Sequence, residues 1–264
     1  MESAQIISAS EKTGFGQAVH IVPAGPDPSV IVVCEHASNH IPTSLGDLGL
    51  GPDARVSHAA WDPGAFDVAR VLAQKVDAVL VSGAISRLVY DCNRPPDAAS
   101  AIPECVEIYD IPGNASLSPQ ARARRIAGVY QPFTDGLSRQ LEDHADSLEL
   151  LVTIHSFTPV FLGQRRQVEL GLLHGRDSFF CEAMMAHRPA EQVYDTRINE
   201  PYSAADGVAH TLDLHGCDNG LWNVMIEIRN DLIQTADQQA RMAAYLAEWI
   251  TATRHALSTT GSTS

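Results

Sequence analysis

The chain has 264 residues, 45% of them hydrophobic, enough for one large domain or two small ones around a buried core. No apolar run approaches the roughly 20 residues that span a bilayer. The net charge of -14 argues against a nucleic-acid partner, while leaving room for an anionic small substrate held by a few local arginines.

Residues 1–28 read as an irregular lead-in with a short strand near Val19–Val22. Met1 to Gly16 lacks the basic-then-apolar pattern of a signal peptide, so a cytoplasmic protein is expected. Val30–Val33 is a β-branched run of the kind buried on both faces of a sheet. It ends in Glu35, His36, Ser38, Asn39 and His40 before Pro42. Ligands of open α/β sheets gather at the carboxyl ends of strands, so this burst of polar groups is a site candidate. A polar turn with a capped helix start is the plainer alternative.

Leu45–Ala60 reads as partly helical. Trp61-Asp62-Pro63-Gly64 precedes an amphipathic helix, Ala65–Lys75, for which Asp62 could be a simple cap. Ala78–Ser82 and Arg87–Tyr90 read as strands, the second leading into Asp91-Cys92-Asn93-Arg94. Residues 95–117 form a proline-rich loop or flap. A long helix starts at Ser118-Pro119, with a kink expected at Pro132. Leu150–Ile154 is a buried strand ending at His155-Ser156, and Val168–Leu173 another. Asn199–Ser203 is followed by a helix or turn through Val208–Leu214 and a strand, Val224–Ile228. The last helix is expected over Thr235–Thr253, with a disordered tail after Leu257. Strands alternating with helices indicate a single three-layer α/β/α domain, residues 1–264 with an ordered core of about 17–257, on a mostly parallel or mixed sheet.

Three constellations carry chemistry. His36 and His155 each follow a hydrophobic strand and suit a divalent metal with a carboxylate, Asp62 or Glu35, although either imidazole alone reads equally as a hydrogen-bonded histidine. Arg87, Asn93 and Arg94 suit capture of a carboxylate, or a surface ion-pair cluster that Asp91 completes. Glu227 sits in the apolar strand V-M-I-E-I-R, where it is either a general base or a partner of Arg229. The five cysteines form no CxxC pair, which argues against a disulfide frame or a thiolate zinc site. Cys34 and Cys92 stand beside these groups and read as small buried thiols.

Six stretches in order resemble the N-formylglutamate amidohydrolases: C-E-H-A-S-N-H-I-P (34–42), W-D-P-G-A (61–65), S-R-L-V-Y-D-C-N-R-P (86–95), I-H-S-F-T-P (154–159), N-E-P-Y-S-A-A-D-G (199–207) and I-E-I-R-N-D-L (226–232). That family looks related to the zinc carboxypeptidases and aspartoacylases. The resemblance implies their fold, a three-layer sheet that is mostly parallel or mixed (phosphorylase/hydrolase-like). It further implies one zinc ion on His36, Asp62 and His155, with Glu227 as the general base. Arg87, Asn93 and Arg94 would hold a substrate carboxylate, and Tyr202 would touch or cover the substrate. The relatives' H-x-x-E pair is replaced here by His36-Ala37-Ser38-Asn39, so the missing carboxylate ligand falls to Asp62, with Glu35 as second choice. The implied reaction is hydrolysis of a small anionic N-acyl amino acid, N-formyl-L-glutamate to formate and L-glutamate as in histidine degradation. A peptidase or deacylase for another N-acyl compound, and a carboxylate-binding protein without metal, are the alternatives.

Overall fold

The computed structural model describes residues 14–191, 194–203 and 206–261. Seven strands form one mixed sheet: β1 (Val19–Val22), β2 (Val30–Cys34), β3 (Val79–Gly83), β4 (Leu150–Phe157), β5 (Leu170–Leu173), β6 (Thr196–Ile198) and β7 (Trp222–Arg229). Their order across the sheet is β1-β3-β2-β4-β7-β5-β6. The central four, β3, β2, β4 and β7, run parallel, while β1 and β5 are antiparallel to their inner neighbours. Three parallel strands, β2, β4 and β7, therefore end side by side at one edge.

The β-branched run in β2 is buried at every position, as a central strand covered on both faces must be. Alternation then divides its side chains. Ile31 and Val33 join a core with Leu88, Tyr90, Phe133 and Leu137, while Val30, Val32 and Cys34 face Val68, Leu72, Phe180, Leu246 and Trp249. The first face is covered by helix α2 (Pro119–Asp143), the second by α1 (Ala65–Val76), α3 (Phe179–Ala186) and α4 (Ala236–Gly261). This is the three-layer arrangement the sequence implies. Each fully buried large apolar side chain contributes about 1.5–3 kcal/mol. Trp249 also places its indole N–H, donating to the Met184 carbonyl at 2.7 Å, which locks α4 against α3.

Several boundaries differ from the sequence reading. Arg87–Tyr90 is not a strand but a turn. Ser86 Oγ accepts from the Leu88 N–H at 3.2 Å and the Ser86 carbonyl accepts from Val89 at 2.9 Å, so a hydroxyl local to the segment outcompetes sheet pairing. Strands β4 and β7 extend past the expected ends and carry His155, Ser156 and Arg229 within the sheet. The interruption expected at Pro132 takes the form of a π-turn over Ile126–Tyr130, just before a residue whose ring would otherwise press on the Gly128 carbonyl. The last helix does not stop at Thr253 but runs to Gly261, because Ser258 and Thr259 return their hydroxyls to the carbonyls of Arg254 and His255. The remainder of the expected tail, 262–264, lies outside the described residues, as does the start of the lead-in, 1–13. Among the described residues no helix is long and apolar enough to cross a membrane.

Candidate metal and active site

Side-chain parity places the site. Glu35, His155 and Glu227 fall on the sheet face that also carries Val33, Leu151 and Met225. Glu227 of β7 pairs in register with His155 of β4 on one side and Gly171 of β5 on the other. A Cβ on Gly171 would collide with the Glu200 carbonyl and crowd Cβ of Glu227 at 3.2 Å, so glycine here makes room for the acid.

Asp62 does not cap α1; the residue at that position is Gly64, in the left-handed region at φ 80°. The Asp62 backbone N–H instead donates to the His36 carbonyl at 3.0 Å, which ties the Trp61–Gly64 turn to the loop after β2. Its carboxylate then enters the site, where Oδ2 accepts from the Ser156 N–H at 3.2 Å. The same oxygen lies 2.9 Å from His155 Nδ1 and 3.3 Å from His36 Nδ1, and the two Nδ1 atoms are 3.2 Å apart. Of the described His, Cys, Asp and Glu residues, these three form the cluster whose donor atoms all lie within 4.8 Å of one another. Glu35 is outside it, on the opposite side of the His155 ring, with Oε2 3.2 Å from Nε2.

Two further residues frame the cluster. Asp91 Oδ1 meets His36 Nε2 at 2.7 Å, and Arg87 bridges Asp62 at 3.3 Å and Asp91 at 2.8 Å. Asn93 is buried and spends its side chain on backbone, donating to the Val208 carbonyl at 2.6 Å and accepting from the Thr211 N–H at 3.0 Å. Arg94 donates to the Asn93 carbonyl at 2.8 Å through one nitrogen. A cavity of about 400 Å³ is lined by His36, Asp62, His155, Glu227, Arg87 and Arg94. Tyr202 lines it too, carrying Arg166 over its ring at 4.9 Å. His58 and Glu107 line it as well and meet at 2.8 Å.

The electrostatics sort these groups. Burial works to raise Asp62, yet His36 and His155 hold it far below the usual carboxylate range. Asp91 is likewise low because His36, Arg87 and Arg94 outweigh its burial. Burial pushes His155 down, but Glu35 and Asp62 carry it well above its ordinary value, and Asp91 and Asp62 raise His36 against burial and Arg87. Glu227 goes the other way: burial, with Asp62 adding to it, pushes it up to about 7 despite His155 and Arg87. Cys34 and Cys92 are held well above the usual thiol range by burial first, which leaves them as inert packing.

The sequence pattern of the N-formylglutamate amidohydrolase family matches residues 28–234. The chain belongs to that family. It is similar to gene product Atu2144 of Agrobacterium tumefaciens, with 48% identity and a TM-score of 0.89 over 94% of this chain and 98% of that one. It shares its fold with the N-formylglutamate amidohydrolase of Ralstonia eutropha JMP134, at TM-score 0.61 and 16% identity, over 90% of this chain and 99% of that one. No curated protein matches the chain in sequence.

The residues singled out from sequence, His36, Asp62, His155, Glu227, Arg87, Arg94, Asn93 and Tyr202, all line this cavity. Sequence reasoning missed the Asp91–His36 contact and took Asp91 only as a partner for arginine. Asp91 lies 55 residues from His36, and no spacing signal shows the pairing. The His58–Glu107 contact has no signal in the sequence either, because nothing there brings residue 58 to residue 107.

Proposed function

We propose that the chain hydrolyses the amide bond of a small anionic N-acyl amino acid with the help of one divalent metal ion, zinc by choice of ligands, and that N-formyl-L-glutamate is its substrate. The observation that carries this reading is the convergence of two imidazole nitrogens and a carboxylate oxygen beside Glu227, whose Oε2 is buried without a hydrogen-bond partner. Two histidines and one carboxylate are a suitable donor set for a catalytic zinc, which keeps a further position open. The residues fit the ion: the cluster faces a cavity, and Asp91 engages Nε2 of His36 so that Nδ1 is left turned on the cluster. Such an ion, when bound, supplies Lewis acidity toward the amide carbonyl and toward water.

The remaining work belongs to the chain's own side chains. Glu227, with a proton affinity near neutrality, takes a proton from the attacking water and returns it to the departing amine nitrogen. Arg94 keeps donors free of its bond to Asn93, and with Arg87 it holds the substrate carboxylate and aligns the scissile bond. Arg87 serves both sides, since the same guanidinium fixes Asp62 and Asp91. Asn93 supports the clamp by fastening the 208–211 backbone, and Tyr202 packs over the substrate.

The test is formate release from N-formyl-L-glutamate by protein purified without chelator, with metal content measured on the same sample. Release with about one equivalent of metal supports the proposal. Metal without formate release, but with turnover of another N-acyl amino acid, moves the substrate assignment. Absence of metal and of turnover after zinc is added back overturns the reading.

A further inference from the structure

Three neighbouring strands set three titratable side chains in a row. Val33 of β2 pairs with Thr153 of β4, and Glu227 of β7 with His155. Carried two residues on, the first register puts Glu35 beside His155, so the imidazole stands between two carboxylates. These differ in their surroundings. Glu227 lines the cavity, whereas Glu35, at 1% exposure, lies behind it. Neither Glu35 oxygen has a hydrogen-bond partner, and neither has His155 Nε2. Glu35 Oε2 and His155 Nε2 stand 3.2 Å apart as an ion pair that is not aligned as a hydrogen bond, and Thr211 also acts on Glu35 through its side chain.

A buried carboxylate without a donor is costly unless it is used. A ligating histidine needs a partner on its second nitrogen to fix the tautomer and the ring plane. Glu35 cannot share an ion with Nδ1 of His155, because it faces the Nε2 side of the ring. We propose that Glu35 is a positioning residue that holds the Nε2 proton of His155 and thereby presents Nδ1 to the divalent ion. The inference rests on the metal-dependent reading above. It makes the two histidines equivalent in design: Asp91 serves His36, and Glu35 serves His155. It also gives the two carboxylates flanking His155 separate tasks, Glu35 toward the ligand and Glu227 toward water.

The experiment uses the full chain with Glu35→Leu, which removes the acceptor, and the isosteric Glu35→Gln, which keeps a carbonyl acceptor without the charge. Zinc affinity is measured by competition with a chromophoric chelator, after far-ultraviolet circular dichroism has established folding. Loss of an outer-sphere partner lowers metal affinity by about 10–100-fold. The expected order is wild type, then Glu35→Gln about 10-fold weaker, then Glu35→Leu on the order of 100-fold weaker. If the leucine variant does not fold, the glutamine variant decides. Glu35→Gln within twofold of wild type, with Glu35→Leu either equal to it or unfolded, overturns the role. A second readout needs no metal. With 15N-labelled histidine, the His155 Nε2 proton of the metal-free wild type should give a slowly exchanging low-field resonance, assigned by its absence from His155→Asn. It should vanish in Glu35→Leu and survive, shifted, in Glu35→Gln. A wild-type protein that binds no zinc overturns the metal-dependent function, while an Nε2 proton indifferent to both Glu35 substitutions overturns the Glu35 contact itself.

Discussion

The burial that would suit Glu227 to the proposed role of general base has a cost in stability, and Glu227→Gln should expose that cost. Burial raises its pKa from 4.5 to about 7 in the folded protein. Between those values the folded state holds a proton that the unfolded chain has released. Stability is therefore fully present below pH 4.5 and falls as pH rises through 7. At 1.36 kcal/mol per unit, the wild type gives up about 3 kcal/mol by pH 8. Glutamine has the same shape and does not titrate. The unfolding free energy of Glu227→Gln relative to wild type should then rise by about 3 kcal/mol between pH 4.5 and pH 8. The assay is urea unfolding of both metal-free proteins at 25 °C across that range. With an m-value on the order of 3 kcal/mol/M, the relative midpoint moves by about 1 M. Formate release should be lost in the variant at every pH. A stability difference that stays constant with pH would refute the buried, proton-holding Glu227, and near-normal turnover would remove it as the base.

Asp62→Ala and His155→Ala should each abolish stoichiometric zinc binding while leaving a folded protein, read by elemental analysis and circular dichroism. Arg94→Gln should raise KM by about 10–100-fold with a smaller change in kcat, since it loses a charge-assisted contact made before the chemistry. Arg87→Gln should lower metal retention as well as KM performance, because it also releases Asp62 and Asp91. Asn93→Ala should lower the unfolding free energy by about 1–3 kcal/mol, leaving the part-buried Val208 carbonyl and the buried Thr211 N–H without their partner.

Much of this arrangement was legible in the sequence, for identifiable reasons. The run Val30–Val33 could only be a strand covered on both faces, and alternation alone sets Glu35, His155 and Glu227 on one face once the strands are parallel. The carboxylate partner of the two histidines was open between Asp62 and Glu35, because Glu35 adjoins His36 in the chain while Asp62 lies 26 residues on, and spacing does not rank them; the fold shows that they address opposite sides of the His155 ring. Arg87–Tyr90 misled because its β-branched and aromatic content matches a strand, while the decisive contact is a serine hydroxyl to a nearby N–H. The final helix was cut short for the opposite reason, its serines and threonines reading as a loop while their hydroxyls bond back along the helix. Asn93 is a tertiary matter: residues 93 and 211 are joined by hydrogen bonding across a long stretch of chain that no local pattern reports.

The most direct test is reconstitution of the chelated protein with zinc, following formate release from N-formyl-L-glutamate as the ion is added. The expected result is no turnover without metal, then activity rising linearly to a break at one equivalent, with Glu227→Gln taking up the same equivalent and staying inactive. Full turnover by protein that retains almost no metal would contradict the role of His36, Asp62 and His155 as the centre of the reaction.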